Sequence, residues 1–153
     1  AADSASSGDL QWRLGDVEAR LAPDRTVQRG DARPAGRFRG TAPEPRAGCR
    51  PGHAPGARSV PFLDLLDPAP RPAPGPGGPF RGATLKPVDG LRAAFAAAGV
   101  AVDAPAAATC GSGLTAAVVA LALHRCGAAA VPIYDGAWCE YEASGLPVVV
   151  DAE

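Results

Sequence analysis

Ala106-Ala-Ala-Thr109-Cys110-Gly111-Ser112-Gly113-Leu114-Thr115, running on into Ala-Ala-Val-Val-Ala-Leu-Ala-Leu-His-Arg-Cys126 and Gly127, decides the fold. Ala106–Thr109 reads as a short apolar strand. Gly111 and Gly113 mark a tight loop, and Thr115–Cys126 is strongly helical with Gly127 as its stop. A Gly-rich loop between a strand and a helix aims backbone N–H groups at one point, and the helix dipole adds to the same positive potential. A cysteine opening that loop should be held as thiolate, which makes Cys110 the candidate nucleophile. The competing reading is an inert, buried strand-end thiol. Gly111 and Gly113 favour chemistry, because they clear side chains from a loop that an anion must enter.

Working outward, Val131-Pro-Ile-Tyr134 reads as the next strand, followed by a turn at Asp135-Gly136. Upstream, Leu91–Ala98 reads as a helix with Asp89 as N-cap, Leu91 and Phe95 on its core face, and Gly99 at its end. Arg58–Phe62 reads as a short strand leading to a helical turn at Leu63, Leu65 and Leu66. Thr26-Val-Gln28 is a weak strand leading to Asp31. Its continuation, Gln28-Arg29-Gly30, is unfavourable, since a buried parallel strand should carry neither Arg nor Gly. Ala106-Ala-Ala108 should also pack a sheet poorly. Asp16–Ala22 suggests a short helix with Val17 and Leu21 stacked and Pro23 as its stop. Residues 33–57 show no periodicity and read as a long loop, and 67–83 as a flexible Pro/Gly loop. Val148–Val150 is either a last strand or a tail.

Strands alternating with helices at this spacing predict an α/β fold, with a central parallel sheet and helices on both faces. The expected organisation is one domain over 12–147. Residues 1–11 read as a linker or truncation edge, and 148–153 as a C-terminal tail.

Composition narrows the function. Gly and Pro supply about a quarter of the 153 residues, near the low-complexity range. Yet 46% of the residues are hydrophobic and the net charge is −1, which opposes full disorder. Balanced charge leaves no basic field for nucleic acid, and no apolar run is long enough to span a membrane. Cys49, Cys110, Cys126 and Cys139 form no CxxC pair and lie at no metal-site spacing from His53 or His124. They predict free thiols in a reducing compartment, the cytoplasm or, in a eukaryote, the mitochondrion. Neither a metal nor a cofactor is called for.

Two enzyme classes use such a cysteine loop. Cysteine phosphatases need an Arg six residues after the Cys, but Ala116 stands there and no Arg precedes Arg125. The other class is the sulfurtransferases. Cys110-Gly-Ser-Gly-Leu-Thr-Ala116 resembles the loop of the 3-mercaptopyruvate type within the rhodanese family, whereas rhodaneses proper carry Arg-Lys after the Cys. Asp31–Gly40, Pro43-Glu-Pro-Arg46, Gly52–Ala57, Val60-Pro-Phe62 and Tyr134-Asp-Gly-Ala-Trp138 are similar to further family signatures, in family order. The resemblance covers roughly 12–147 and points to the C-terminal catalytic half of a two-domain enzyme.

The resemblance implies a mechanism and its residues. Cys110 takes sulfane sulfur from a small donor as a persulfide and passes it to cyanide or a thiol, either a small thiol or a thioredoxin-like protein. Backbone N–H groups of Gly111, Ser112, Gly113, Leu114 and Thr115 cradle the anionic sulfur. Arg37 and Arg46 grip the donor's carboxylate and carbonyl, and Ser112 orients a proton near the sulfur. Asp31 and Arg33 are expected to support the loop floor, and His53 to build a turn. Trp138 either lines the pocket or packs. Cys49, Cys126 and Cys139 pack by default, with oxidation or pairing open. The N-terminal rhodanese-like half is absent from this sequence. Two other readings stand beside this one: a thiosulfate sulfurtransferase, which a charged loop would favour, and a degenerate rhodanese-like binding or regulatory module.

Overall fold

The computed structural model describes residues 10–20, 26–67 and 83–151. Five strands, β1 (Gln11–Trp12), β2 (Gln28–Asp31), β3 (Ala57–Ser59), β4 (Ala106–Thr109) and β5 (Ile133–Tyr134), form one sheet in the order β1-β5-β4-β2-β3. Every pairing is parallel, with Asp31 opposite Thr109 and Ser59 opposite Asp31. Successive residues of the central strand β4 face opposite layers. Ala106 and Ala108 meet a core of Leu91, Phe95, Val119 and Leu123, whereas Ala107 meets an aromatic cluster of Trp12, Tyr134, Trp138 and Tyr141.

The two weak points expected of the sheet have structural answers. All three alanines of β4 are buried, and their small side chains let the helices approach closely. Arg29 is buried in β2, and its guanidinium donates to the carbonyls of Arg20 (3.1 Å) and Pro55, so its charge is solvated by backbone. Gly30 sits beneath α4 (Ala116–Arg125), where an added Cβ would lie 3.3 Å from Val119 Cγ1 and 3.6 Å from Val60 Cγ2. Its missing side chain is the space that Val119 fills.

Several expected boundaries shift. The first helix, α1, is Leu14–Ala19, starting earlier because the Asp16 carboxylate accepts from the Arg13 N–H (3.0 Å). Leu21 and the Pro23 stop lie outside the described residues, as do 68–82 of the Pro/Gly loop and 1–9 of the N-terminal segment. The stretch 33–57 is not all loop, for Ala35–Arg39 forms α2 behind Pro34. Five residues are too few to show a period. Gly40 ends α2 at φ +90°, and a Cβ there would also strike Val150 Cγ1 at 2.5 Å. The next helix, α3, is Val88–Ala97, with Pro87 rather than Asp89 at the N-cap and Asp89 in the first turn. A 3-10 turn, Phe62–Leu65, follows β3.

A final helix, α5 (Ala137–Ala143), was not signalled by the sequence and buries Trp138 and Tyr141. Residues 148–151 make a single antiparallel bridge, Val149 to His53, and Asp151 N–H donates to the Arg39 carbonyl (3.0 Å). Among the described residues no helix is long and apolar enough to cross a membrane.

Candidate active site

Strand β4 delivers Cys110 to the C-terminal edge of the sheet, where open α/β folds place their sites. The thiol is buried (1% exposed), and the Gly113 N–H donates to its Sγ at 3.1 Å. Gly113 holds φ +89°, and a Cβ there would press the Asp135 carbonyl at 3.1 Å, so no other residue lets the loop fold back onto the sulfur in this way. On the other side, the Trp138 N–H donates to the Cys110 carbonyl (2.8 Å). Ala137, which precedes it, adopts φ +55°, a left-handed conformation that costs about 1 kcal/mol in a non-glycine residue. Backbone strain is thus stored directly beside the cysteine loop.

A cleft of about 250 Å³ opens over the loop, bordered by Arg37, Arg46, Glu44, Gly111, Ser112 and Cys139, among others. Arg37 projects from α2 across Gly111, where an added Cβ would lie 3.1 Å from Nη2. Arg46 reaches the same cleft from the turn after α2. Both arginines, nine residues apart, therefore border the same cleft. A short helix, not an unstructured loop, carries the first of them, which corrects the expectation for that segment. Ser112 and Leu114 stand exposed on the loop, Leu114 80% so.

Beneath the cleft lies a buried ion network. Arg33 donates through Nε and Nη2 to the Asp31 carboxylate (3.0 and 2.6 Å), through Nη1 to Glu44 Oε1 (2.7 Å), and through Nη2 to the Gly52 carbonyl (2.7 Å). Its guanidinium also stacks 4.3 Å from the Trp138 ring centre. Burial lowers the Arg33 pKa, but Asp31 and Glu44 more than offset this, and the net displacement is upward. Glu44 Oε2 in turn lies 3.4 Å from Arg37 Nε, a nitrogen with no hydrogen bond of its own. Glu44 lies within the Pro43-Glu-Pro-Arg46 motif, where the sequence alone gives it no role. The available signal was an acid set between two prolines in an Arg-rich stretch.

Trp138 packs: it is buried, donates its indole N–H to the Arg50 carbonyl (2.8 Å) and stacks on Tyr141. His53 is buried against the Phe38 ring (3.9 Å between centroids), with Nδ1 2.9 Å from the Phe38 carbonyl. All four cysteines are free thiols, Cys126 buried in the far core and Cys139 at the cleft.

A parallel sheet with a cysteine-led glycine loop at its carboxyl edge is the arrangement of a rhodanese-fold domain. No family model matches the chain. It is 41% identical, over 91% of its own length and 33% of the relative's, to thiosulfate/3-mercaptopyruvate sulfurtransferase 1, mitochondrial, of Arabidopsis thaliana. It is 44% identical, over 82% of its length and 40% of the relative's, to the 3-mercaptopyruvate sulfurtransferase of Escherichia coli K12. Among solved structures, that of SseA from Escherichia coli, described as a 3-mercaptopyruvate sulfotransferase with the rhodanese fold, superposes with a TM-score of 0.63 at 38% identity, covering 88% of this chain and 44% of that one. The chain belongs to the 3-mercaptopyruvate sulfurtransferase family and spans a third to two fifths of the length of these curated relatives.

Proposed function

We propose that this domain moves sulfane sulfur from 3-mercaptopyruvate to a thiol or cyanide through a persulfide on Cys110. The observation that carries the reading is the convergence of Arg37 and Arg46 on the cleft over the loop whose Gly113 N–H holds the Cys110 sulfur. The Cys110 thiolate attacks the donor sulfur. The carbon–sulfur bond breaks, and its electron pair passes to the enolate of pyruvate, which takes a proton at carbon. Guanidinium groups on the carboxylate and carbonyl stabilise that enolate, and Ser112 orients the transferred proton. An acceptor thiolate then attacks the outer sulfur, and Cys110 Sγ leaves as thiolate. The acceptor is a small thiol or a thioredoxin-like protein. Four free thiols support a reducing compartment, cytoplasmic or mitochondrial.

The direct test is an intact mass after incubation with 3-mercaptopyruvate. A single added sulfur atom is expected, and an unchanged mass rejects the reading.

Loss of either Arg37 or Arg46 to Ala should lower kcat/KM for 3-mercaptopyruvate about tenfold to a hundredfold, the equivalent of one charge-assisted hydrogen bond of roughly 1.5–3 kcal/mol. Lys at either position should recover only part, because the planar fork is gone. Steady-state kinetics with a carboxylate-free persulfide donor should show much smaller losses. Equal losses for both donors would remove the arginines from donor recognition.

Thiosulfate remains the second donor candidate, since a relative's name includes it. Replacing Gly111-Ser112 with Arg-Lys should shift the kcat/KM ratio toward thiosulfate. A dianion gains from two added cations, while a side chain at 111 crowds Arg37 Nη2 away from the mercaptopyruvate site. An unchanged ratio would mean that the loop does not select the donor.

A further inference from the structure

The helix that carries Arg37 is too short to hold itself. α2 spans five residues, little more than one turn, and an isolated helix of that length does not form in water. Its last carbonyls, those of Arg37, Phe38 and Arg39, find no donor within the helix. Each is met by a donor from elsewhere in the chain. The Gly52 N–H donates to the Arg37 carbonyl (3.0 Å), and the Asp151 N–H to the Arg39 carbonyl (3.0 Å). Between them, His53 Nδ1 stands 2.9 Å from the Phe38 carbonyl. A carbonyl oxygen can only accept, so that contact requires the hydrogen on Nδ1.

The imidazole is fixed for this task. It is buried and lies nearly parallel to the Phe38 ring, at 5°. Its own backbone is bridged to the C-terminal segment: the His53 N–H donates to the Val149 carbonyl (2.9 Å) and the Val149 N–H to the His53 carbonyl (2.8 Å). Gly52 lets that segment come so close, since a Cβ there would lie 2.8 Å from both Val148 Cγ1 and the Val149 carbonyl. The Gly52 carbonyl in turn accepts from Arg33 Nη2 (2.7 Å), which ties the cap to the buried ion network. His53 does not border the cleft, whereas Arg37 reaches it from the turn of helix that His53 caps.

We propose that His53 is a positioning residue for the donor site: its Nδ1–H, flanked by the N–H groups of Gly52 and Asp151, caps α2 and so fixes where Arg37 stands over Gly111. The consequence for the donor rests on the function proposed above; the cap itself does not. Glu44 holds the Arg37 side chain from one side, with Oε2 3.4 Å from Nε, and the cap holds the backbone from which that side chain springs.

The cap is tested first, without reference to activity. Nitrogen NMR of the labelled chain should find His53 carrying a hydrogen on Nδ1, and a hydrogen on Nε2 alone overturns the proposal. The effect on the donor is then read in two variants. His53→Leu removes the donor group, and His53→Asn restores one, because its amide N–H stands near the place of Nδ1. His53→Leu should raise KM for 3-mercaptopyruvate about tenfold, the scale of one lost hydrogen bond, and leave KM for a carboxylate-free persulfide donor within about twofold. His53→Asn should recover most of the loss. Added to Arg37→Ala, His53→Leu should raise KM no further, since its effect runs through Arg37. Equal rises for both donors, an Asn variant no better than Leu, or additive effects with Arg37→Ala overturn the proposal, for His53 then serves only the fold. If His53→Leu melts too low to assay, Asp151→Pro carries the test. It deletes the N–H that caps Arg39, and the same donor-selective rise in KM is expected; an unchanged KM overturns the proposal. Failure of the sulfur-transfer reading shows itself separately, as absence of persulfide in the wild-type chain.

Discussion

Cys110→Ser is expected to lower sulfur transfer by at least ~10³-fold, the scale seen when a covalent nucleophile is removed from a preorganised site. Serine keeps the size and a hydrogen-bond acceptor. The Gly113 N–H, which now meets Sγ at 3.1 Å, therefore retains a partner, and the loop should keep its shape. The hydroxyl is far too weakly acidic to attack the donor sulfur unaided, and no base is in reach to activate it among the described hydrogen bonds. Kinetics with 3-mercaptopyruvate and a thermal melt should therefore separate cleanly. Activity collapses, while the melting temperature moves by no more than a few degrees, the cost of about one altered hydrogen bond. Retained turnover in this variant would exclude the persulfide route. A collapsed melt would instead show that the thiol holds the loop together.

Arg33→Ala should have the largest effect on stability. It strips the shared partner from two buried carboxylates, Asp31 and Glu44, and removes the cation stacked on Trp138. Breaking a buried pair by removing one partner costs about 3–5 kcal/mol, because an uncompensated charge remains inside. In a domain of this length that corresponds to a melting temperature lower by roughly 10 °C, and it is a large fraction of a typical total stability. Arg33→Lys should recover only part, since an ammonium cannot serve Asp31, Glu44 and the Gly52 carbonyl from one planar fork. Denaturant melts of the three proteins decide the matter. A loss under about 1 kcal/mol would mean that water enters and solvates the carboxylates.

Much of this was legible in the residues themselves. The strand–loop–helix at Ala106–Arg125 announces itself because glycines punctuate it and the helix is long enough to show its composition. That Arg37 and Arg46 come to one cleft with Ser112 could be expected only through a resemblance in motif order, since nothing in residues 33–57 indicates where that stretch folds. The residues from 33 to 57 hid α2 because five residues carry no period and its start is set by Pro34. The last helix, α5, was hidden because Ala137 enters it through a backbone conformation that alanine rarely adopts. Glu44 escaped notice for a different reason: its importance lies in two partners, Arg33 and Arg37, that meet only in three dimensions. Arg29 and Gly30 read as damage to a strand, since propensity is blind to the carbonyls of Arg20 and Pro55 and to the valine of α4 that meet them.

The carboxylate of Glu44 spans two regimes of selection. One oxygen holds the innermost arginine of the domain, and the other lies against the arginine at the mouth of the cleft. If Arg37 grips the donor as proposed, a lineage adapting to a new donor by altering it changes the charge balance felt by Arg33. On the proposed function, a lineage drifting at Arg33 disturbs the donor site without touching it. On that proposal, folding and substrate choice are yoked at a single side chain. On the proposed function, descendants of this domain should exchange donors first at Ser112, which stands exposed on the loop, because a side chain at Gly111 would already press on Arg37 Nη2.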